Sequence, residues 1–227
     1  MNRSIHAGDG PRWLVLVYRV PPDPSSSRVS VWRDLKRMGA LYLQQCVCVV
    51  PAHEALRARF DFVRDRVTKL GGSSNLFSVP MLPENEEASL VAGFRDLISK
   101  QYAEIVEECE TKFVKEIEFE YFRENFSFAE ADEIDHDLEK IRRWFTQVKE
   151  RDWFDAPGRA EVAAWIERCA ELLEGFFATV HAHAAGEAQD PDAADRGGAP
   201  PRLGTVKLTG NAPRAAAGHG RRRKKLG

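Results

Sequence analysis

The hydrophobic period of this chain changes once, at Pro83, and the change limits what each side can form. Before Pro83, short apolar runs and helical stripes are separated by Pro, Gly and Ser. After it, apolar residues recur every three or four positions as far as Val180. A pattern of period two cannot serve as a helix face, nor the reverse, so the front is mixed α and β and the remainder helical.

Trp13 to Val20 reads WLVLVYRV, a near-continuous apolar run suited to a strand buried on both faces. Pro21, Pro22 and Pro24 stop it, and Ser25 to Ser27 offer helix-capping hydroxyls. Val31, Trp32, Leu35 and Met38 form one helical stripe, which Gly39 caps. Ala40 to Gln45 and Cys46 to Val50 predict two strands, the second ended by Pro51. Leu56, Phe60, Val63, Val67 and Leu70 predict a helix ended by Gly71 and Gly72, and Asn75 to Met81 a last strand. The order strand-helix-strand-strand-helix-strand is ferredoxin-like, a four-stranded antiparallel sheet with both helices on one face. The fold class expected is therefore α+β.

Three helical stripes follow. Val91, Phe94, Ile98, Tyr102, Ile105, Cys109 and Phe113 form the first. Ile134, Leu138, Ile141, Phe145 and Val148 form the second, and Val162, Ile166, Cys169, Leu173, Phe176 and Val180 the third. Faces of this width pack on one another, on the sheet or on another subunit. The aromatic run FEYFRENFSF, Phe119 to Phe128, reads as helix-junction packing. Four segments result: a disordered leader over 1–12, the ferredoxin-like module over 13–83, a three-helix segment over 84–185 and a disordered basic tail over 186–227. The tail is rich in Gly, Ala and Pro and carries RRRKK near its end.

The net charge of −2 conceals blocks. Residues 1–83 hold 12 Lys/Arg against 6 Asp/Glu, residues 84–139 hold 5 against 18, and residues 186–227 hold 9 against 4. The basic ends suit a polyanion and the acidic middle does not. No apolar run approaches the roughly 20 residues of a membrane helix, and Met1 to Arg12 lacks a signal-peptide stretch. A cytoplasmic protein without a membrane partner is expected, its four cysteines reduced.

Arg19, at the end of the first strand, and Arg28, near the start of the first helix, are candidate oxyanion ligands beside free helix N–H groups. Arg33, Lys36 and Arg37 form an exposed patch suited to phosphates, joined by Arg221, Arg222, Arg223, Lys224 and Lys225 of the tail. Ordinary solvated charge explains the same residues equally well. Arg57, Arg59, Arg64, Arg66 and Lys69 on the second helix read as solvated, with polyanion contact the weaker alternative. Cys46 and Cys48 share a strand face, but no third ligand stands nearby, so small core residues describe them better than a metal site. His181 and His183 end the third helix, and His136 lies between two Asp on a polar face. No P-loop, GxSxG, HExxH, GxGxxG or paired CxxC occurs, so no enzyme class, metal or cofactor is called for.

The run WLVLVYRVPPDPSSSRVSVWRDLKRMGALYLQQCVCVVP resembles the N-terminal domain of ChrB-type chromate-resistance proteins. The resemblance lies in the W-L-x-L-x-Y strand with a following Pro, the R-V-x-V-W-R-x-L-K-R-x-G-A helix and the Q-x-x-V-x-V-x-P strand. It extends through the acidic helices and RRWF, Arg142 to Phe145, and covers about Trp13 to Val180. It implies a transcriptional regulator of a chromate-resistance operon, with DNA and chromate or a similar oxyanion as partners; the helices would provide either homodimerisation or a rigid support. Many members of that family carry a further C-terminal domain. A wider resemblance joins the first strand to Cas2-type nucleases and phenylacetate-type repressor domains. Cas2-type nucleases place a metal-holding Asp after the strand Tyr, whereas here Arg19 follows Tyr18. A cation there repels a divalent metal and suits an anion. The alternative function is a chromate-handling enzyme or sequestration protein using Cys46 and Cys48, and a third is a structural partner.

Overall fold

Alternation sets the sheet. The computed structural model describes residues 12–23 and 25–189. The leader before Arg12 and the tail from Asp190, with Arg221 to Lys225, lie outside the described residues. Strand β1 (Trp13–Arg19) turns Leu14, Leu16 and Val20 to one face and Trp13 to the other. It is followed by α1 (Ser25–Arg37), β2 (Leu41–Gln44), β3 (Val47–Pro51), α2 (Glu54–Lys69) and β4 (Ser73–Val79). The sheet is antiparallel with order β2-β3-β1-β4, the ferredoxin-like arrangement. α1 and α2 share one face, burying Val31, Leu35, Phe60, Val63 and Val67 against Leu14, Leu16, Cys48 and Val50.

Two local readings shift. β4 starts at Ser73 rather than Asn75 and ends at Val79, because pairing with Arg19 and Tyr18 recruits two serines that carry no apolar signal. Cys46 is not in a strand. It occupies the turn between β2 and β3 at φ 64°, a left-handed conformation uncommon outside Gly and Asn.

The second face of the sheet is covered by α3 (Glu84–Glu108). Phe94 stacks on Trp13 with centroids 5.9 Å apart and planes 9° apart, and Trp153 and Phe154 close around it. Gly93 lets α3 pass close over β2, where a Cβ would stand 2.9 Å from the Leu41 Cδ2 methyl and push that side chain aside. α3 continues through one π turn (Cys109–Phe113) into α4 (Val114–Arg123). From Ile98 to Ile117 the buried positions are Ile98, Tyr102, Ile105, Cys109, Phe113 and Ile117. Three consecutive four-residue steps outrun a 3.6-residue turn, and the wide turn absorbs the surplus residue.

α5 (Phe128–Glu150) and α6 (Arg159–Gln189) complete a bundle with α3 and α4, sharing a core from Ile98 to Val180. Ser127 caps α5, accepting from the Glu130 amide. The run Phe119 to Phe128 divides. Tyr121 and Phe126 pack on Phe176, while Phe119, Phe122 and Phe128 stay exposed. The loop from Asp152 to Gly158 is clasped to α3. Tyr102 donates to Asp152 Oδ2 at 3.0 Å, the Ala156 amide donates to Asp152 Oδ1 at 2.9 Å, and Arg159 pairs with the same carboxylate. No helix among the described residues is long and apolar enough to cross a membrane.

Candidate functional site

With one sheet face covered by α1 and α2 and the centre of the other by α3, a ligand of the front module meets helices, loops or a margin of the sheet. The helical layer carries most of the positive charge. On α1, Arg33 and Arg37 lie one turn apart, with Asp34 on the same flank. On α2, Arg59, Phe62, Arg66 and Lys69 recur at steps of three and four and share a flank as well. The structure turns these two flanks toward each other, with Arg66 donating to Asp34 Oδ2 at 3.0 Å across the helix pair. Arg37 reaches the other oxygen of Asp34 at 3.9 Å.

Arg151, just past α5, completes the seam from a distant part of the chain. Its guanidinium donates to Gln101 Oε1 at 2.9 Å and approaches the Lys36 and Arg37 carbonyls at 3.4 Å, capping the end of α1. Burial holds its pKa below the usual arginine value; Glu150 opposes the shift and the charge of Arg59 adds to it. Arg37 and Arg66 thus share one bridging carboxylate, Asp34, while Arg151 caps the same helix end and Arg59 lies close enough for its charge to act on Arg151. An exposed ion pair contributes about 0–1 kcal/mol, so Arg37, 79% exposed, can leave Asp34 for a phosphate at little cost.

Lys36 lies on the other flank of α1, its ammonium 4.7 Å over the half-exposed ring of Trp32. Trp32 therefore does not join the core stripe with Val31 and Leu35. Arg19 and Arg28 are exposed, at the end of β1 and in the first turn of α1. Neither they nor Arg33 pair with a carboxylate among the described residues. α1 has no acidic residue in its first turn, which leaves that end favourable to an anion. Arg57 and Arg64 face away from the seam, Arg57 bonding Ser78 Oγ at 2.6 Å and Arg64 pairing with Asp61 at 3.0 Å.

The thiols are sheltered. Cys48 is fully buried and its pKa is pushed up to about 12, chiefly by burial and further by Cys46. A thiol held protonated at neutral pH is a poor nucleophile and reductant. Above it the hydroxyls of Tyr18 and Tyr42 meet at 3.0 Å. Burial raises the pKa of both phenols. Cys109 and Cys169 are buried in the bundle core. His136 is exposed and bonds the Asp132 carbonyl, and His181 rests edge-on against Phe128. Among the described residues no group of three His, Cys, Asp or Glu could hold a metal ion.

The seam was not legible in the sequence, because it depends on contacts between residues far apart in the chain. Asp34 and Arg66 are 32 positions apart, and Arg151 lies 114 beyond Arg37. The shared flank of Arg59, Arg66 and Lys69 was visible, but not that it faced α1.

A family described as Protein ChrB, N-terminal, matches residues 28–187. That span begins in α1, leaving β1 outside it, and runs through the bundle. Protein ChrB of Cupriavidus metallidurans is 26% identical over 152 residues, covering 66% of this chain and 43% of that relative. The chain therefore matches less than half the length of this curated relative. No solved structure matches. With a helical layer, a covering α3 and an acidic bundle all inside the matched span, the chain belongs to the ChrB N-terminal family.

Proposed function

We propose that this chain is a DNA-binding regulatory component of chromate resistance that grips the phosphate backbone through the α1–α2 seam. The observation carrying the proposal is the bridging of α1 and α2 by Arg37 and Arg66 on the single carboxylate of Asp34, with Arg151 at the end of α1 and the charge of Arg59 acting on it. Guanidinium groups present planar paired donors that suit phosphate, and a surplus of them around one acid attracts a polyanion. Arg19 and Arg28 at the entry to α1 supply the chemistry for a tetrahedral dianion such as chromate. Family membership supports a role in chromate resistance, and the basic tail adds affinity that does not depend on sequence. The protein acts in the cytoplasm in this reading.

The test is fluorescence anisotropy of a labelled duplex from the gene's own upstream region against a scrambled duplex, with and without chromate or sulfate. The native duplex should bind more tightly and be released by chromate but not sulfate. Replacing Arg33, Arg37 and Arg59 together by Gln should lower the salt slope of binding by about 2–3. A triple variant with the wild-type slope would remove the seam from the interface. Arg19→Gln should abolish the chromate response while leaving affinity for the duplex within about twofold.

A further inference from the structure

The two margins of the sheet differ. β2 is short, its register to β3 slips between Tyr42 and Gln44, and Leu41 packs beside Gly93 of α3. Shortness, irregularity and cover are the usual protections of an edge strand. β4 has none of these among the described residues. It keeps unbroken register with β1, from Val79 opposite Trp13 to Ser73 opposite Arg19. Its sequence, SSNLFSV, contains no charge and no proline. On the face away from α1 and α2, Ser73, Asn75 and Phe77 are exposed, Phe77 by 54%, and Met81 just beyond is exposed by 74%. α3 covers the centre of that face and leaves this margin bare.

We propose that β4 is a self-association edge, on which two copies of this chain pair β4 with β4, antiparallel, into one eight-stranded sheet. A free edge holds a row of unmet N–H and C=O groups that another strand satisfies. A two-fold axis normal to the sheet makes that strand the same one, so the interface is self-complementary. The uncharged strand puts no like charges at the axis. The flank of α2 above it carries both signs, with Arg57, Asp61 and Arg64. Turned on itself, that flank sets Arg64 of one copy toward Asp61 of the other. Arg64 already pairs with Asp61 of its own chain at 3.0 Å, so the two-fold brings two mixed-charge pairs together rather than like charges. The exposed Phe77 rings lie beside the axis and lose water on pairing.

The test is light scattering and sedimentation of the full chain, with Asn75→Lys/Phe77→Lys as the variant. Asn75 is exposed and Phe77 more than half so, so the fold should be retained with at most a small drop in melting temperature, while lysines facing each other across the axis oppose pairing. The unaltered chain should show twice the 25.6 kDa chain mass. The variant should weaken the dimer by about tenfold or more. A chain of single mass throughout the micromolar range overturns the proposal, as does a dimer with undiminished affinity in the variant. Hydrogen exchange gives a readout that needs no variant. β4 amides should slow as concentration rises through the dimer range while β2 amides do not. Exchange from β4 that is independent of concentration also overturns the proposal. If β4 is protected in a monomer, another segment of the same chain covers the edge, and the proposal fails.

Discussion

Arg151 joins the front module to the bundle through one side chain. Truncating it strands the Gln101 carbonyl and the end of α1 at once. Arg151→Ala should cost about 1–3 kcal/mol in urea unfolding, the range for losing hydrogen bonds to a charged group. Gly39 stands next to it at φ 80°, where a Cβ would lie 3.1 Å from Trp153 and 3.3 Å from Arg151. The left-handed backbone was legible as a helix cap; the side chains packed against it come from too far along the chain to have been. Tyr102 makes a pH prediction. Burial pushes its pKa up to about 12, with Asp152 adding to the shift and the Arg159 hydrogen bond opposing it, against 10.0 for a free tyrosine. The folded state holds that proton more tightly, so its contribution is complete below pH 10 and is lost as pH rises to about 12. Thermal melts should fall across that window, and fall less steeply in Tyr102→Phe.

At the scale of elements, periodicity identified every strand and helix of the front module, because buried faces repeat at the period of the backbone that carries them. Margins were less legible: Ser73 and Ser74 enter β4 through pairing with β1, and pairing leaves no apolar trace. The π turn was hidden for a related reason, since steps of four look helical one at a time and only their accumulation outruns the helix. This gives a sharp expectation. Deleting Thr111, exposed in the middle of that turn, should convert it to regular α-helix with Cys109, Phe113 and Ile117 still inward. Helical circular dichroism should be retained and the melting temperature should move by only a few degrees, about what a 1 kcal/mol change gives in a chain of this size. Collapse of the fold would mean that the wide turn is itself required for packing.

At the scale of the whole molecule, charge is segregated. The basic seam lies on the front module, and the acidic surplus on α3, α4 and the start of α5. A duplex should therefore meet the front module and be repelled by the bundle. If the proposed DNA binding holds, deleting residues 190–227 should weaken binding to native and scrambled duplexes by the same factor, since a run of basic side chains such as Arg221 to Lys225 would neutralise phosphates without reading bases. Unequal weakening would give the tail a part in recognition. The stack of Phe94 on Trp13 bears on how the chain comes apart. Because α3 supplies the second wall of the sheet, a fragment ending at Pro83 would leave Trp13, Val49 and Leu41 open to water. Such a fragment should aggregate, and the intact chain should give a single calorimetric transition over residues 12–186. Occupancy of the arginine seam would then raise the melting point of helices that never touch the ligand, and a defect deep in the bundle would loosen the grip on it.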